Sequence, residues 1–269
     1  MFIRYCPPFK SALSIHTNCN RLYHALKAKY GNYISTTPNA TTVDISILKR
    51  NGTYVFRHLT DEHRCDAPLL EIDHYLTHHT NFHPDIFALH GAAVECRDKC
   101  FLLLASTGSG KTTLTAYLTN KGFGYLTDDC ILLSRVNLTV FPFTTPLHIR
   151  DGGLQVLEQY DSIPSRLELL EELPTFRRFV YTPSKCITIP LPLTAIFFIK
   201  RTNDTNRLQA MSTTERMTEM MKAPITDYTV DGDYLRFLSR LVKLPCYQLC
   251  YHDMNYVLEV LQHECPSEL

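Results

Sequence analysis

The sequence predicts an α/β protein on a mixed sheet, with a small α+β lobe over residues 1–86 ahead of a larger domain over 87–269. Three observations carry this. An apolar run, Phe101-Leu102-Leu103-Leu104, passes through a glycine-bearing loop into a periodic segment, Leu114 to Lys121, that stops at Gly122. That order reads as strand, loop, helix. A second apolar run, Phe87 to Glu95, reaches the first through the turn Arg97-Asp98-Lys99, so a hairpin feeds the loop where an all-parallel sheet would place a crossover helix. Residues 1–60 hold one helical period and one hairpin pattern.

In chain order, Asn20 to Tyr30 sets Leu22, Tyr23, Leu26 and Tyr30 at helical spacing and stops at Gly31. Val43 to Leu48 alternates, Asn51-Gly52 follows, and Thr53 to Phe56 resumes, the pattern of a hairpin closed by a type I′ turn. Asp66 to Thr80 reads as a helix capped by Asp66, with Pro68 in its first turn. His74 and His78 stand one turn apart there, with His79 and His83 near. That spacing can bind a metal or form an ordinary histidine-rich surface. His90-Gly91 interrupts the next strand, and His90 reads either as a buried structural histidine or as a group aimed at the loop.

The loop itself is Ala105-Ser106-Thr107-Gly108-Ser109-Gly110-Lys111-Thr112-Thr113. Small residues let successive backbone N–H groups curl round a phosphate, and a helix N-terminus adds partial positive charge. Ser106, Thr107, Gly108, Ser109, Gly110, Lys111, Thr112 and Thr113 are therefore the candidate nucleotide-binding residues. Lys111 suits the β and γ oxygens, and Thr112 can offer a hydroxyl to Mg²⁺. Ala105 stands where the usual pattern has Gly, which an alanine with negative φ can replace.

After the helix comes Gly122-Phe123-Gly124-Tyr125-Leu126-Thr127-Asp128-Asp129-Cys130-Ile131-Leu132-Leu133. Two adjacent carboxylates between apolar strands are costly unless a cation or proton donor meets them. On an extended backbone neighbours point to opposite sides, so Asp128 and Asp129 would have different partners. A solvated Asp-Asp turn is the other reading. Farther on, Leu154 to Tyr160 and Ser165 to Leu173 show helical patterns, and Phe176-Arg177-Arg178-Phe179 reads as a basic-aromatic loop, solvated or gripping an acidic partner. Leu193 to Ile199 and Cys246 to Tyr251 read as strands; Thr213 to Met221, Tyr234 to Val242 and Met254 to His263 read as helices.

The chain is 269 residues long, and its 27 basic and 27 acidic residues give no global field to attract nucleic acid or an acidic membrane. No signal-peptide core and no membrane-length apolar run occurs, so a cytoplasmic location is expected. The 10 cysteines are then free thiols, and Cys96/Cys100 and Cys246/Cys250 read as small hydrophobes within strands.

His90-Gly91, the loop, and Gly-Phe-x-Tyr-Leu-x-Asp-Asp followed by an apolar strand together resemble the HPr kinase-like serine kinases over roughly residues 87–136. Similar compact kinases accompany biosynthesis of ribosomal peptides, lasso peptides among them. The resemblance implies a P-loop core of the HPr kinase C-terminal-domain and PEP carboxykinase-like kind. It makes ATP and Mg²⁺ the cofactors and a serine-bearing peptide or protein the substrate, and it leaves a homo-oligomer open. It implies that Lys111 holds phosphate, that Thr112 and Asp129 serve the metal, that Asp128 accepts the hydroxyl proton, and that His90 contacts the γ-phosphate. Leu147-His148-Ile149-Arg150 stands where the family has a signature with a metal-side Glu, so His148 replaces that Glu and Arg150 remains to neutralise phosphate charge. With 86 residues ahead of the matched region, the large N-terminal domain of HPr kinases is expected to be missing, as in a smaller relative. A nucleotide-binding regulator without turnover and a small-molecule hydroxyl kinase are the competing readings.

Overall fold

The computed structural model describes residues 2–3, 12–31, 34–35, 42–69, 71–72, 75, 85–106, 108–165, 167–173, 176–223 and 231–264. The chain divides into two compact units, residues 1–86 and 87–269.

The first unit contains β1 (Phe2–Ile3), β2 (Ala12–Thr17), α1 (Asn20–Tyr30), β3 (Ile34–Ser35), β4 (Thr42–Arg50), β5 (Thr53–His58) and β6 (Asp61–Cys65). Its strands form one sheet in the order β3-β1-β2-β4-β5-β6. The β4–β5 hairpin closes at Asn51-Gly52, whose φ values of 48° and 84° are both left-handed, as a type I′ turn demands. α1 buries Leu22, Leu26 and Tyr30, the stripe its spacing predicts, while Tyr23 is exposed. Residues 68–69, 71–72 and 75 are helical. The helix starts at Pro68, and Ala67 O accepts from Glu71 N–H at 3.0 Å, so Ala67 rather than Asp66 stands at the cap; His74, His78, His79 and His83 lie outside the described residues.

The second unit runs β7 (Ile86–Leu89), β8 (Gly91–Cys96), β9 (Lys99–Leu104), α2 (Lys111–Asn120), β10 (Gly124–Thr127), β11 (Ile131–Ser134), β12 (Thr139–Phe141), β13 (Leu147–Arg150) and α3 (Asp151–Gln159). It continues with β14 (Leu167–Leu173), β15 (Phe176–Tyr181), β16 (Leu191–Arg201), β17 (Arg207–Ala210), α4 (Thr213–Met220), α5 (Gly232–Leu241), β18 (Cys246–Tyr251) and α6 (Met254–His263). The main sheet has the order β10-β8-β9-β16-β12-β11-β7, with β18 joined to β16 and β17. It is mixed: β16 runs parallel to β9 and β18, while β8 pairs β9 antiparallel. The β8–β9 turn places Arg97 and Asp98 at φ 50° and 62°, so this hairpin also closes with two left-handed residues.

Alternation along β9 and β16 sends side chains into two apolar clusters. Phe101, Leu103 and Phe197 meet Leu114, Tyr117 and Leu118 of α2 and Val257 and Leu261 of α6. Leu102, Leu104, Ile196 and Phe198 meet Phe237, Leu238 and Leu241 of α5. Helices therefore cover both faces, which fits a nearly continuous apolar sequence in the central strands. Cys100 and Cys246 are buried in this packing and, like Cys96 and Cys250, are free thiols. Among the described residues no helix is long and apolar enough to cross a membrane.

Two readings of the later sequence change. Ser165 to Leu173, expected as helical, forms strand β14 of a small antiparallel sheet ordered β13-β15-β14. Its register shifts between Leu169 and Glu171, and the sequence spacing of Leu167, Leu170 and Leu173 imitates a helical period. The stretch Phe176 to Phe179 is strand β15 rather than a loop. Arg177 is committed within the fold. Its Nη2 lies 2.8 Å from Asp151 Oδ1, and its backbone N–H donates to Asp151 Oδ2 at 2.7 Å. Those contacts hold the half-buried Asp151 carboxyl below the usual carboxylate range, the backbone hydrogen bond first among them.

Candidate active site

β9 delivers the chain to the loop and α2 takes it away. Gly108 and Gly110 have φ of 81° and 88°, conformations that cost a residue with Cβ and cost glycine little. Gly110 caps α2 without any side-chain cap. The first-turn N–H groups thus carry no side-chain acceptor, the arrangement that suits an anion. Ser109 N–H donates to Ser106 O at 3.3 Å, which closes the loop on itself. Thr107 lies outside the described residues.

Lys111 is buried, and its ammonium donates to Ala105 O at 2.9 Å and lies 3.1 Å from His90 Nε2. His90 Nδ1 in turn lies 3.2 Å from Asp129 O. An ammonium has only protons to give, so Nε2 accepts and the proton sits on Nδ1, where it is donated to Asp129 O. Burial first, and the Lys111 charge second, lower the His90 pKa and keep the ring neutral. Burial likewise lowers the pKa of Lys111, while Asp128 and Asp129 oppose that shift. Of the two readings open for His90, the structure shows a half-buried ring bonded to the loop lysine.

β10 ends at Thr127, and the two aspartates follow in a bend. The expectation of an extended Asp-Asp pair fails here, because Asp129 has a left-handed φ of 67°. The two carboxylates still differ in surroundings, through the bend rather than strand alternation: Asp128 is buried and Asp129 exposed. Thr112 Oγ1 donates to Asp128 Oδ2 at 2.7 Å. Asp128 Oδ1 is buried with no hydrogen-bond partner among the described residues. Burial, and then the neighbouring Asp129 carboxylate, push the Asp128 pKa up to about 8.

That shift has a measurable sign. Between the unfolded carboxylate pKa of ~3.9 and the folded value, the native chain holds a proton that the unfolded chain releases. Stability therefore falls as pH rises across that window, by at most ~1.4 kcal/mol per pH unit for this one group. Asp128→Asn lacks the titration. Its melting temperature should gain on the parent's steadily from pH 5 to pH 8, and parallel profiles would show that Asp128 titrates normally.

Thr113 lies in the first turn of α2, and the first turn of α3 packs on it closely. A Cβ on Gly153 would lie 2.7 Å from Thr113 Oγ1. Arg150 is the exposed N-cap residue of α3, so it stands at this end of the helix pair. His148 is half-buried on β13, opposite Val180. The structure thus joins Lys111, His90, Thr112, Asp128 and the Asp129 backbone, and leaves Arg150 exposed at the N-terminus of α3. Sequence reading missed the role of Gly153, although a Gly-Gly pair opening a helix is a costly choice that asks for such a reason. Gly153→Val should cost about 1–3 kcal/mol in denaturant unfolding, as overpacking does; an unchanged midpoint would mean that the two helices have room to spare.

Among the described residues no group of three or more His, Cys, Asp or Glu could hold a metal unaided. Mg²⁺ does not require one, since it takes one or two protein oxygens and completes its shell with phosphates and water. Thr112 Oγ1 beside the unpartnered Asp128 Oδ1, with Asp129 adjacent, fits that mode.

No protein-family model matches the sequence, and no curated protein does. A solved structure to which the chain is similar is the HPr(Ser) kinase/phosphatase from Coxiella burnetii, at 10% identity and a TM-score of 0.34, covering 66% of this chain and 95% of that one. A likeness at this level is distant and carries no activity across.

Proposed function

We propose that the chain is a kinase that transfers the γ-phosphoryl group of ATP, with Mg²⁺, to the serine hydroxyl of a peptide or protein, such as a ribosomal peptide precursor of the lasso type. The observation that carries this reading is the Thr112–Asp128 bond beside Lys111. It joins a candidate phosphate loop to a buried carboxylate whose second oxygen has no partner among the described residues.

Phosphoryl transfer asks mainly for positioning and charge neutralisation. Lys111 and the uncapped N–H groups of α2 take up charge on the β and γ phosphates. Mg²⁺ would be held by Thr112 and Asp129 and would neutralise charge developing between those phosphates. Neutral His90 holds the Lys111 ammonium from one side and fixes the Asp129 backbone from the other. Asp128 accepts the serine proton at Oδ1 while Thr112 steadies Oδ2. A carboxylate of raised pKa is a stronger base than an ordinary one, and the best catalytic pKa lies near working pH. Arg150 adds positive charge at the mouth of the site.

The Thr112–Asp128 bond also favours a second assignment, in which buried Asp128 stands on the metal side and exposed Asp129 takes the proton. Thr112→Val tests the part common to both. It removes the hydroxyl and keeps the shape, so transfer should require more Mg²⁺, and an unchanged Mg²⁺ titration would remove Thr112 from the metal site. Phosphate incorporation into a serine peptide tests the function itself. A regulator would bind ATP and incorporate none.

A further inference from the structure

The parallel strands β9, β16 and β18 end on one edge of the sheet, and in open α/β sheets ligands bind outside such carboxyl ends. β9 stops at Leu104, opposite Phe198, and becomes the loop. β16 and β18 continue together as far as Arg201, paired with Tyr251. At ~3.3 Å per residue, Arg201 lies roughly 10 Å beyond Phe198 along the strand. Past these ends lies a cavity of about 460 Å³ lined by Arg201, Thr202, Asn203 and His252. That size is within the ~300–1,000 Å³ of small-ligand sites.

Its place relative to the loop follows from Tyr251, the residue before His252. Tyr251 is buried in the cluster that holds Leu114 and Tyr117 of α2, and a Cβ on Gly110 would lie 3.7 Å from its hydroxyl. Phe197 and Ile199 belong to the same cluster, so alternation puts Arg201 on the α2 face as well. The cavity therefore lies at the strand end that carries Tyr251, whose hydroxyl stands beside Gly110 at the start of α2.

Its walls are built without the exposed side chains of Arg201, Asn203 and His252. Thr202 Oγ1 donates to Thr205 O at 2.7 Å, and Asn206 Oδ1 accepts from the backbone N–H groups of His252 at 3.0 Å and Asp253 at 3.3 Å. A planar guanidinium and an imidazole ring are groups that stack on a nucleobase, and a carboxamide can pair with a base edge as donor and acceptor together.

We infer that this cavity holds the nucleoside end, base and ribose, of the nucleotide whose phosphates the loop takes. The inference rests on the proposed phosphate site. Calorimetric titration of ATP and of inorganic tripolyphosphate, each with Mg²⁺, tells the two apart. Asn203→Ala/His252→Ala should weaken ATP binding ~10-fold or more and leave tripolyphosphate binding unchanged, whereas Lys111→Ala should weaken both. Should the double variant lose its fold by circular dichroism, Asn203→Ala alone, in an exposed turn, should still weaken ATP selectively. If the variants bind ATP as the parent does while Lys111→Ala does not, the nucleoside site is wrong and the phosphate site stands. Equal loss of both ligands in a folded double variant also overturns the nucleoside assignment. A parent that binds neither ligand overturns both proposals.

Discussion

Lys111→Ala is expected to bind ATP at least ~10²-fold more weakly and to transfer no measurable phosphate, at an unchanged melting temperature. Hydrogen bonds to a charged group are worth roughly 1.5–3 kcal/mol each, so losing two phosphate contacts accounts for a drop of that size. The fold should tolerate the change because the lysine's own contacts are few. Its ammonium meets Ala105 O, Ser106 O and His90 Nε2, and Ser106 is exposed, so water can replace it there. Burial already opposes its charge, so removing it also removes a desolvation cost. Near-normal turnover in this variant would refute the phosphate-site reading outright.

Asp128→Asn should lower transfer by ~10²–10⁴-fold, the usual contribution of a positioned proton acceptor, while ATP affinity changes little. The amide keeps the shape and can still accept from Thr112. The parent's activity should rise with pH as the carboxyl, raised by burial and by Asp129, loses its proton, and the residual activity of the variant should not follow that curve. Asp129→Asn should act chiefly on the Mg²⁺ requirement. The opposite pattern, with Asp128→Asn raising the Mg²⁺ requirement and Asp129→Asn removing the pH dependence, would select the second assignment.

What the sequence made legible was local. The hairpins at Asn51-Gly52 and Arg97-Asp98, the helical period from Leu114, the strand Cys246–Tyr251 and the helix Met254–His263 each carry their own period or turn chemistry. The mixed sheet followed from one such feature, the hairpin in front of the loop. Other features depended on partners far along the chain. Nothing near Asp128 shows that Thr112, across a helix and a strand, would donate to it. The left-handed φ of Asp129 was equally invisible, because Asp tolerates that conformation without announcing it. β14 was misread because Leu167, Leu170 and Leu173 stand at a helical spacing in a strand whose register shifts between Leu169 and Glu171. Arg177 looked available because its partner, Asp151, sits in a different element.

The position of β16 has a consequence for how the chain reaches this state. β8 and β9 can zip early, since only a two-residue turn separates them. The other side of β9 stays open until Leu193 to Phe198 arrive beside it, and those residues then need Cys246 to Tyr251 on their far side. Each of these parallel pairings must close a long stretch of chain before any contact repays the lost entropy, and such pairings form slowly. The loop is therefore among the last parts to become rigid, although its sequence lies in the first half of the chain. In refolding from denaturant, the β9 amides that face β8 should gain protection in a faster phase than those that face β16, as hydrogen exchange would record.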